Sequence, residues 1–294
     1  MINLAPWNYR DLLVTNRIIK SPVFYEINLI DGTHYFESTV TLQEELKPQW
    51  VRKSELYKNC DGSGTSVYKN TAVYKAISEA LERLAFYELA DSEEKKYSFD
   101  LNPTTTGMAA FPGLTCKQSR NNAFAEAIER WAIHEFNKNN IPVIKLNSLI
   151  KNLDHYELIT PFNKVKVSLL AYNTGSFYIF GFAGGVNIKH SHDRALIELD
   201  RNERVLTKFL KNKVEISKIS SMTDKALIFY STNEGYSHFD ELIFNAPKNI
   251  KNINPKILCD LELKGFWTKY TKIWRFLLED SFHTDNENYK FFMF

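Results

Sequence analysis

The sequence predicts a mixed α+β fold of the α/β class, with antiparallel or mixed sheets packed beside three long helices. Runs of β-forming residues separated by turn signals predict hairpins over residues 22–42 and 164–188. Helical periodicity appears in three segments, at about residues 70–90, 117–139 and 192–212. With 294 residues, 44% of them hydrophobic, the chain can bury a large core, and no clear linker divides it. We therefore predict a single domain over residues 1–294.

The individual strands follow from alternation and turn chemistry. Val23, Tyr25 and Ile27 alternate with other residues before the tight-turn dipeptide Asp31-Gly32, and Asn173 to Ser176 forms the turn of the second hairpin. Further extended segments are predicted at residues 95–100, 141–146, 226–231 and 270–278. The third helix should begin after a cap at Ser191 or Asp193.

Two glycine-containing segments, residues 61–66 and 104–113, are predicted to be loops that lead into the first and second helices. Glycines in such loops let backbone amides approach an anion closely, as phosphate-binding loops do. A plain turn is the alternative for the first segment.

The first two predicted helices share a short internal repeat, because residues Ser78 to Ala85 closely resemble residues Ala125 to Ala132. Each copy has two glutamates three positions apart, and an arginine follows the second glutamate. On a helix these side chains share one face, formed by Glu79, Glu82 and Arg83 in the first copy and by Glu126, Glu129 and Arg130 in the second.

Two interpretations of these faces remain open. Glutamate–arginine pairs four apart are common on solvated helix surfaces. However, Phe86 and Ile133 fall inside the charged arcs, which favours faces that look inward. Carboxylates clustered in a protein interior need cations to offset their charge. Mg²⁺ shared with the phosphates of a substrate would provide that charge, and the arginines would bind the phosphate oxygens. In the third helix Arg194 precedes Glu198 by four positions, an order that fits a shared ligand better than helix stabilisation.

Composition excludes several classes of partner. The net charge is +2 without a basic tract, so we expect no nucleic-acid partner. No apolar stretch reaches the length of a membrane span, and the N-terminus lacks the pattern of a signal peptide. Three widely separated cysteines, Cys60, Cys116 and Cys259, indicate a reducing compartment. We expect a cytoplasmic protein that does not bind a membrane.

Taken in order, the three helices and their preceding segments resemble the YcaO family over about residues 60 to 210. The motifs that carry the resemblance are Gly62-Ser63-Gly64, Glu79 to Arg83, Thr105 to Ala110, Glu126 to Arg130, and Arg194 to Glu198. The resemblance implies a YcaO-type domain whose three helices bind ATP and Mg²⁺.

By that resemblance five glutamates are Mg²⁺ ligands: Glu79, Glu82, Glu126, Glu129 and Glu198. Arg130 and Arg194 would contact the ATP phosphates as catalytic residues, and Arg83, Asn122 and Ala109 would complete the nucleotide site. The activity implied is ATP-dependent modification of a peptide or protein backbone amide, by azoline-forming cyclodehydration or by thioamidation, through phosphorylation of the carbonyl oxygen.

The expected partners are a substrate peptide or protein and a separate protein that binds the leader peptide or supplies sulfur. A homodimer is one open alternative for the oligomeric state. Departures from the family pattern at Lys75, Ala109, Gln118 and Asn122 favour a second interpretation, a catalytically weak nucleotide-binding scaffold or accessory subunit, whereas the five intact glutamates and Arg194 oppose it. A third is that the helices are ordinary salt-bridged surface helices that bind no nucleotide.

Overall fold

The computed structural model describes residues 2–49, 60–90, 95–212, 219–251, 255–279 and 289–292. The chain divides into two compact units. Unit 1 comprises Met1–Val51, Asn59–Ala127 and Lys256–Glu279, and unit 2 comprises Arg52–Lys58, Ile128–Pro255 and Asp280–Phe294. That the two units act as one domain stays a prediction.

Unit 1 starts with two short helices and an antiparallel sheet. Its first elements are α1 (Ala5–Asn8), α2 (Arg10–Thr15), β1 (Val23–Asn28), β2 (His34–Val40), β3 (Gly62–Ser66) and α3 (Lys69–Ala90). The strand order is β1-β2-β3. The predicted first hairpin is confirmed, and Asp31 closes its turn by accepting a hydrogen bond from the Thr33 amide at 2.8 Å. The predicted first helix is also confirmed.

The predicted loop at residues 61–66 is wrong, because its residues form β3. The strand pairs with β2 from Gly62 opposite Val40 to Ser66 opposite Phe36. A Cβ atom on Gly62 would lie 2.1 Å from the Ala76 carbonyl oxygen of α3. Glycine is required here because the strand backbone lies directly on the helix, so the motif serves packing between strand and helix.

A second sheet of unit 1 is built from distant parts of the chain. It contains β4 (Met108–Phe111), β9 (Ile257–Leu263) and β10 (Lys272–Leu278), antiparallel in the order β4-β10-β9. The predicted strand at 270–278 is confirmed, whereas the predicted loop at 104–113 contains β4. The segment predicted as extended at 95–100 begins with a 3₁₀ turn, Lys95–Tyr97.

Helix α4 (Lys117–Asn137) follows β4 and confirms the predicted second helix. The boundary between the units falls after Ala127, within this helix. The core of unit 1 packs the inner face of α3 against the sheets, with Ile77, Leu81, Leu84 and Ile273 fully buried. Phe86 is 7% exposed, in agreement with an inward position in its helix.

Unit 2 contains a four-stranded antiparallel sheet and three more helices. Its elements are β5 (Val143–Leu146), β6 (Leu153–Leu158), β7 (Lys166–Asn173), β8 (Tyr178–Gly185), α5 (Ile188–Asn212), α6 (Met222–Tyr230) and α7 (Asn233–Phe244). The strands follow one another in the order β5-β6-β7-β8. The predicted second hairpin and the strand at 141–146 are confirmed.

Two predictions in unit 2 need correction. The strand predicted at 226–231 lies in helix α6, whose first turn is capped by Ser221 accepting from the Asp224 amide at 3.2 Å. A short apolar run fits a buried strand and a buried helix equally well, which explains the error. Helix α5 begins at Ile188 rather than near 192, and the Asn187 side chain caps it by accepting from the His190 amide at 2.8 Å.

The structural repeat of the chain differs from the one that the sequence shows. Strand β8, a two-residue connection and helix α5 repeat strand β3, a two-residue connection and helix α3. A Cβ atom on Gly181 would lie 2.3 Å from the Ala195 carbonyl oxygen, as the one on Gly62 would lie 2.1 Å from that of Ala76, at the same spacing in sequence. The copies that match in structure are therefore α3 and α5, whereas the Glu-x-x-Glu-Arg copies are in α3 and α4.

We expect Gly62→Ala and Gly181→Ala each to lower the free energy of unfolding by about 3 kcal/mol, because the added methyl group forces strand and helix apart. Urea denaturation measures the change. Gly175→Ala is the control, since its Cβ would meet nothing within 4 Å and its φ of +88° costs only about 1 kcal/mol. Equal losses in all three variants would contradict close packing as the role of Gly62 and Gly181.

A series of buried, hydrogen-bonded side chains connects the sheet of unit 2 to helix α5. The His155 Nε2 atom lies 3.0 Å from the Ser168 hydroxyl, which lies 2.8 Å from the Ser191 hydroxyl. The ring of His192 is centred 4.8 Å from that of His155. Burial, and secondarily the charge of His192, lower the pKa of His155 from 6.5 to about 4. His155 is therefore neutral in the folded protein at neutral pH.

The depressed pKa of His155 predicts a loss of stability in mild acid. In the unfolded chain His155 takes up a proton below about pH 6.5, whereas in the folded chain it stays neutral until about pH 4. Up to about 3 kcal/mol of stability is therefore lost as the pH falls across that interval. Chemical denaturation at several pH values should show a shallower decline for His155→Gln. His34→Gln, at an exposed position of β2, should keep the wild-type decline, and a wild-type decline in His155→Gln would contradict the assignment.

Candidate functional site

The first predicted glutamate, Glu79, is bound to a strand edge. Its carboxylate accepts hydrogen bonds from the Ser63 amide at 2.9 Å and from the Ser63 hydroxyl at 3.0 Å. The Arg83 guanidinium is more distant, at 3.5 Å. Among the described residues β3 is the outer strand of its sheet, so Glu79 satisfies an amide that no neighbouring strand reaches.

The second glutamate, Glu82, is bound in the same manner to the other sheet of unit 1. It accepts a hydrogen bond from the backbone of Ala110 in β4, the outer described strand of its sheet. Burial raises the pKa of Glu82 well above its usual range, and the negative charges of Glu126 and Glu79 raise it further. Arg83 opposes the shift without cancelling it. These carboxylates therefore repel one another within unit 1.

Arg83 lies close to these carboxylates and has one hydrogen-bond donor that they do not engage. Burial acts to lower its pKa, but the charges of Glu79, Tyr87 and Glu82 outweigh burial and raise it. Its Nε atom is buried and has no hydrogen-bond partner in the part of the chain that the structure describes. A buried donor without an acceptor is costly, and a bound anion would satisfy it.

In unit 2 the corresponding carboxylate is Glu129. It is 5% exposed and accepts a hydrogen bond of 2.7 Å from the Gly184 amide of β8, the outer described strand of its sheet. The Arg130 Nε atom is 3.8 Å from the other carboxylate oxygen, and the Arg130 guanidinium lies 5.3 Å from the ring centroid of Phe182. Glu129 thus repeats the anchoring of Glu79 and Glu82 by strand amides.

Arg194 and Glu198, on α5, do not pair with each other. Arg194 donates a hydrogen bond of 2.5 Å to the Gly184 carbonyl oxygen, so the same residue contacts both Arg194 and Glu129. Glu198 accepts a hydrogen bond of 2.8 Å from Arg201. The sequence analysis missed Arg201, although its spacing of three from Glu198 is a known signal for a helical ion pair.

The two remaining predicted nucleotide contacts differ in their surroundings. Ala109 is 8% exposed and pairs with Trp274 across β4 and β10. Asn122 is on the exposed side of α4, where its amide oxygen accepts a hydrogen bond of 2.8 Å from Gln118. The glutamine at 118 therefore engages the side chain that the family resemblance assigns to the nucleotide.

Arg275 supports the segment before β4 and was also missed by the sequence analysis. It is fully buried and donates to the carbonyl oxygens of Thr104 at 2.8 Å and Asn102 at 2.7 Å. Its guanidinium lies 4.0 Å from the ring centroid of Phe99. Burial lowers the pKa of Arg275 to about 10, and the negative charge of Glu126 acts against that shift. A single guanidinium thus fixes the loop that leads to Ala109.

We expect Arg275→Met to lower the free energy of unfolding by about 3 kcal/mol, because two buried carbonyl groups lose their charged donor. Arg275→Lys should restore little, since an ammonium lacks the planar fork that reaches both carbonyls. Hydrogen exchange should show faster exchange of the amides at 101–107. Arg120→Lys, in an exposed pair with Asp260, is the control and should cost less than about 1 kcal/mol. Full stability in Arg275→Lys would contradict the fork geometry.

The five predicted metal ligands are divided between the units. Glu79, Glu82 and Glu126 belong to unit 1, and Glu129 and Glu198 belong to unit 2, so their convergence stays a prediction. Across the described residues, no group of three or more histidine, cysteine, aspartate or glutamate side chains is arranged to hold a metal ion. Nor does any helix in those residues combine the length and apolar character needed to cross a membrane.

Comparisons of sequence found no matching family model and no significantly similar curated protein. Comparisons of structure found YcaO from Methanopyrus kandleri bound with AMPPCP and Mg²⁺, at a TM-score of 0.57 and 12% identity over 94% of this chain and 89% of that one. The E. coli microcin synthetase McbBCD complex with pro-MccB17 bound matches at 0.54 and 12% identity, over 92% of each chain.

A third match is a heterocyclase in complex with substrate and cofactor, at a TM-score of 0.52 and 12% identity. It covers 89% of this chain but 49% of the heterocyclase chain. At this level of identity the three matches report on the fold.

Proposed function

Because the chain has the fold of YcaO proteins, we propose that it binds ATP with Mg²⁺ and uses it to modify a backbone amide of a peptide or protein. The observation that carries the proposal is the anchoring of the helix glutamates. Glu79, Glu82 and Glu129 each accept a hydrogen bond from a backbone amide of an outer strand. Of these three, Glu79 has an arginine four positions later, and its bond to the Ser63 amide, at 2.9 Å, is shorter than its 3.5 Å contact with Arg83.

The chemistry of three carboxylates in unit 1 suits a hard divalent cation, although their arrangement among the described residues does not form a metal site. Glu79, Glu82 and Glu126 supply carboxylate oxygens, the ligand type that Mg²⁺ prefers, and a cation would relieve their mutual repulsion. A hydrogen bond to one oxygen of a carboxylate fixes its direction, as outer partners do for metal ligands. We propose that Glu129 and Glu198 complete the ligand set.

Arginines of both units are suited to the phosphate groups. Arg83 has a buried Nε donor that a phosphate oxygen would satisfy. Arg194 is exposed and donates to a carbonyl oxygen, and Arg130 is held by Phe182 and Glu129. We assign Arg130 and Arg194 the catalytic role of stabilising charge on the transferring phosphoryl group, with Ala109 and Asn122 beside the nucleotide.

ATP, when bound, supplies the phosphoryl group that turns the amide oxygen, a poor leaving group, into a good one. The nucleophile that replaces this oxygen is a cysteine, serine or threonine side chain of the substrate, which gives an azoline, or a sulfide, which gives a thioamide. The chain therefore has to bind and orient the amide and needs no nucleophile of its own. The proposed partners are the substrate peptide or protein and a protein that binds its leader or supplies sulfur.

The alternative is a catalytically weak nucleotide-binding scaffold within a modification complex. Two contacts favour it: Gln118 engages Asn122, and Arg201 engages Glu198. Both side chains would have to exchange these partners to contact a nucleotide or a metal ion. A chain that binds Mg·ATP but releases no phosphate in the presence of its peptide and partner would favour the scaffold.

Calorimetric titration of Mg·ATP into the full chain tests the proposal. We expect micromolar binding by the wild type and its loss in the double variant Glu79→Gln, Glu126→Gln, since a carboxamide replaces two charged ligands. Glu241→Gln, on an exposed side chain of α7, is the control and should bind as the wild type does. Unchanged binding in the double variant, or none in the folded wild type, would contradict the proposed site.

Denaturation of a Glu82→Gln variant and the wild type without metal separates a functional from a structural role of Glu82. Removing one of several carboxylates that repel one another should stabilise the fold, so Glu82→Gln should raise the free energy of unfolding by about 1 kcal/mol at neutral pH. If Glu82 served as a structural ion pair, the same change would destabilise the protein.

A further inference from the structure

Lys75 occupies the place in its repeat that Arg194 occupies in the other. In the copy formed by β3 and α3, Gly62 lies against Ala76, and Lys75 directly precedes that alanine. In the copy formed by β8 and α5, Gly181 lies against Ala195, and Arg194 directly precedes that alanine. When the two pairs of packed residues are matched, Lys75 and Arg194 fall at equivalent positions of the two structural repeats.

The contacts of the two cations also match. The Lys75 Nζ atom donates a hydrogen bond of 2.8 Å to the Thr65 carbonyl oxygen. The Arg194 Nη1 atom donates one of 2.5 Å to the Gly184 carbonyl oxygen. Thr65 comes three residues after Gly62, just as Gly184 comes three residues after Gly181. Each cation reaches from its helix to the equivalent carbonyl of its strand, and both side chains are exposed.

The two copies share a further residue and then diverge. Glu79 follows Lys75 by four positions, as Glu198 follows Arg194. The next turn carries Glu82 in the first copy but Arg201 in the second, and Arg201 binds Glu198 at 2.8 Å. At this position the first copy therefore carries a carboxylate and the second a guanidinium. Negative charge is consequently concentrated around Glu79 and Glu82 in the first copy.

We propose that Lys75 binds a phosphate group of the nucleotide, as the counterpart of Arg194. The inference rests on the proposed function, because Arg194 is assigned to the phosphates there. An ammonium on a flexible stem is a common phosphate ligand and acts as a point charge. Lys75 supplies positive charge on the same helix as Glu79 and Glu82, where a phosphate group that shares the proposed Mg²⁺ would approach.

Binding of Mg·ATP to Lys75→Met, Lys75→Arg, Arg194→Met and the wild type tests the inference by calorimetry. Loss of one charged phosphate contact should weaken binding about tenfold in Lys75→Met, and Lys75→Arg should recover most of it because the positive charge is kept. Thermal unfolding of each variant should stay near that of the wild type. Lys69→Met, an exposed lysine of the same helix, is the matched control and should bind normally.

The outcomes distinguish this inference from the proposed function. Normal binding by Lys75→Met together with weakened binding by Arg194→Met would overturn the role of Lys75 and leave the nucleotide site in place. Weakened binding in Lys75→Met that Lys75→Arg does not recover, with a lowered melting temperature, would assign Lys75 a structural role and overturn the inference. Absence of binding by the folded wild type would overturn both.

Discussion

The close approach of a glycine-bearing strand to a helix is the constraint on which the candidate site depends. Gly62 and Gly181 let β3 and β8 lie directly on α3 and α5, where a methyl group on either glycine would overlap the helix backbone. At this distance a glutamate on a helix can reach an outward amide of the strand, as Glu79 does at Ser63. Packing and the placement of charge are therefore consequences of the same contact, and a bulkier strand residue would alter both.

The anchored carboxylates also explain why these helices differ from ordinary charged helices. An exposed glutamate–arginine pair contributes little to stability, because water competes for both charges. Glu129 is instead nearly buried and held by the Gly184 amide, and Glu82 is buried near the like charges of Glu126 and Glu79. Groups arranged at the expense of stability are typical of binding sites. This is the physical reason to treat the faces as functional.

Sequence reasoning predicted the parts of the fold that local patterns determine. The first hairpin, the three long helices and the last strand follow from alternation, periodicity and turn dipeptides. Gly62 was misread because glycine signals a turn locally, whereas its role depends on a helix residue fourteen positions later in sequence. Arg275 escaped notice for a stronger reason, since the carbonyl groups it binds are 171 and 173 residues away. The family resemblance named the glutamates, but their strand-amide partners required three-dimensional contacts.

Gly184 has a consequence for how unit 2 responds to a ligand. Its amide donates to Glu129 on α4, and its carbonyl oxygen accepts from Arg194 on α5, so two side chains of opposite charge, from two helices, meet at one residue that has no side chain. A ligand that draws Arg194 away would change the polarisation of the backbone that holds Glu129. Any such coupling is reciprocal, so a cation at Glu129 and an anion at Arg194, the roles proposed for them, would alter each other's affinity by the same factor. Gly184 would then link the two proposed binding side chains through a single residue.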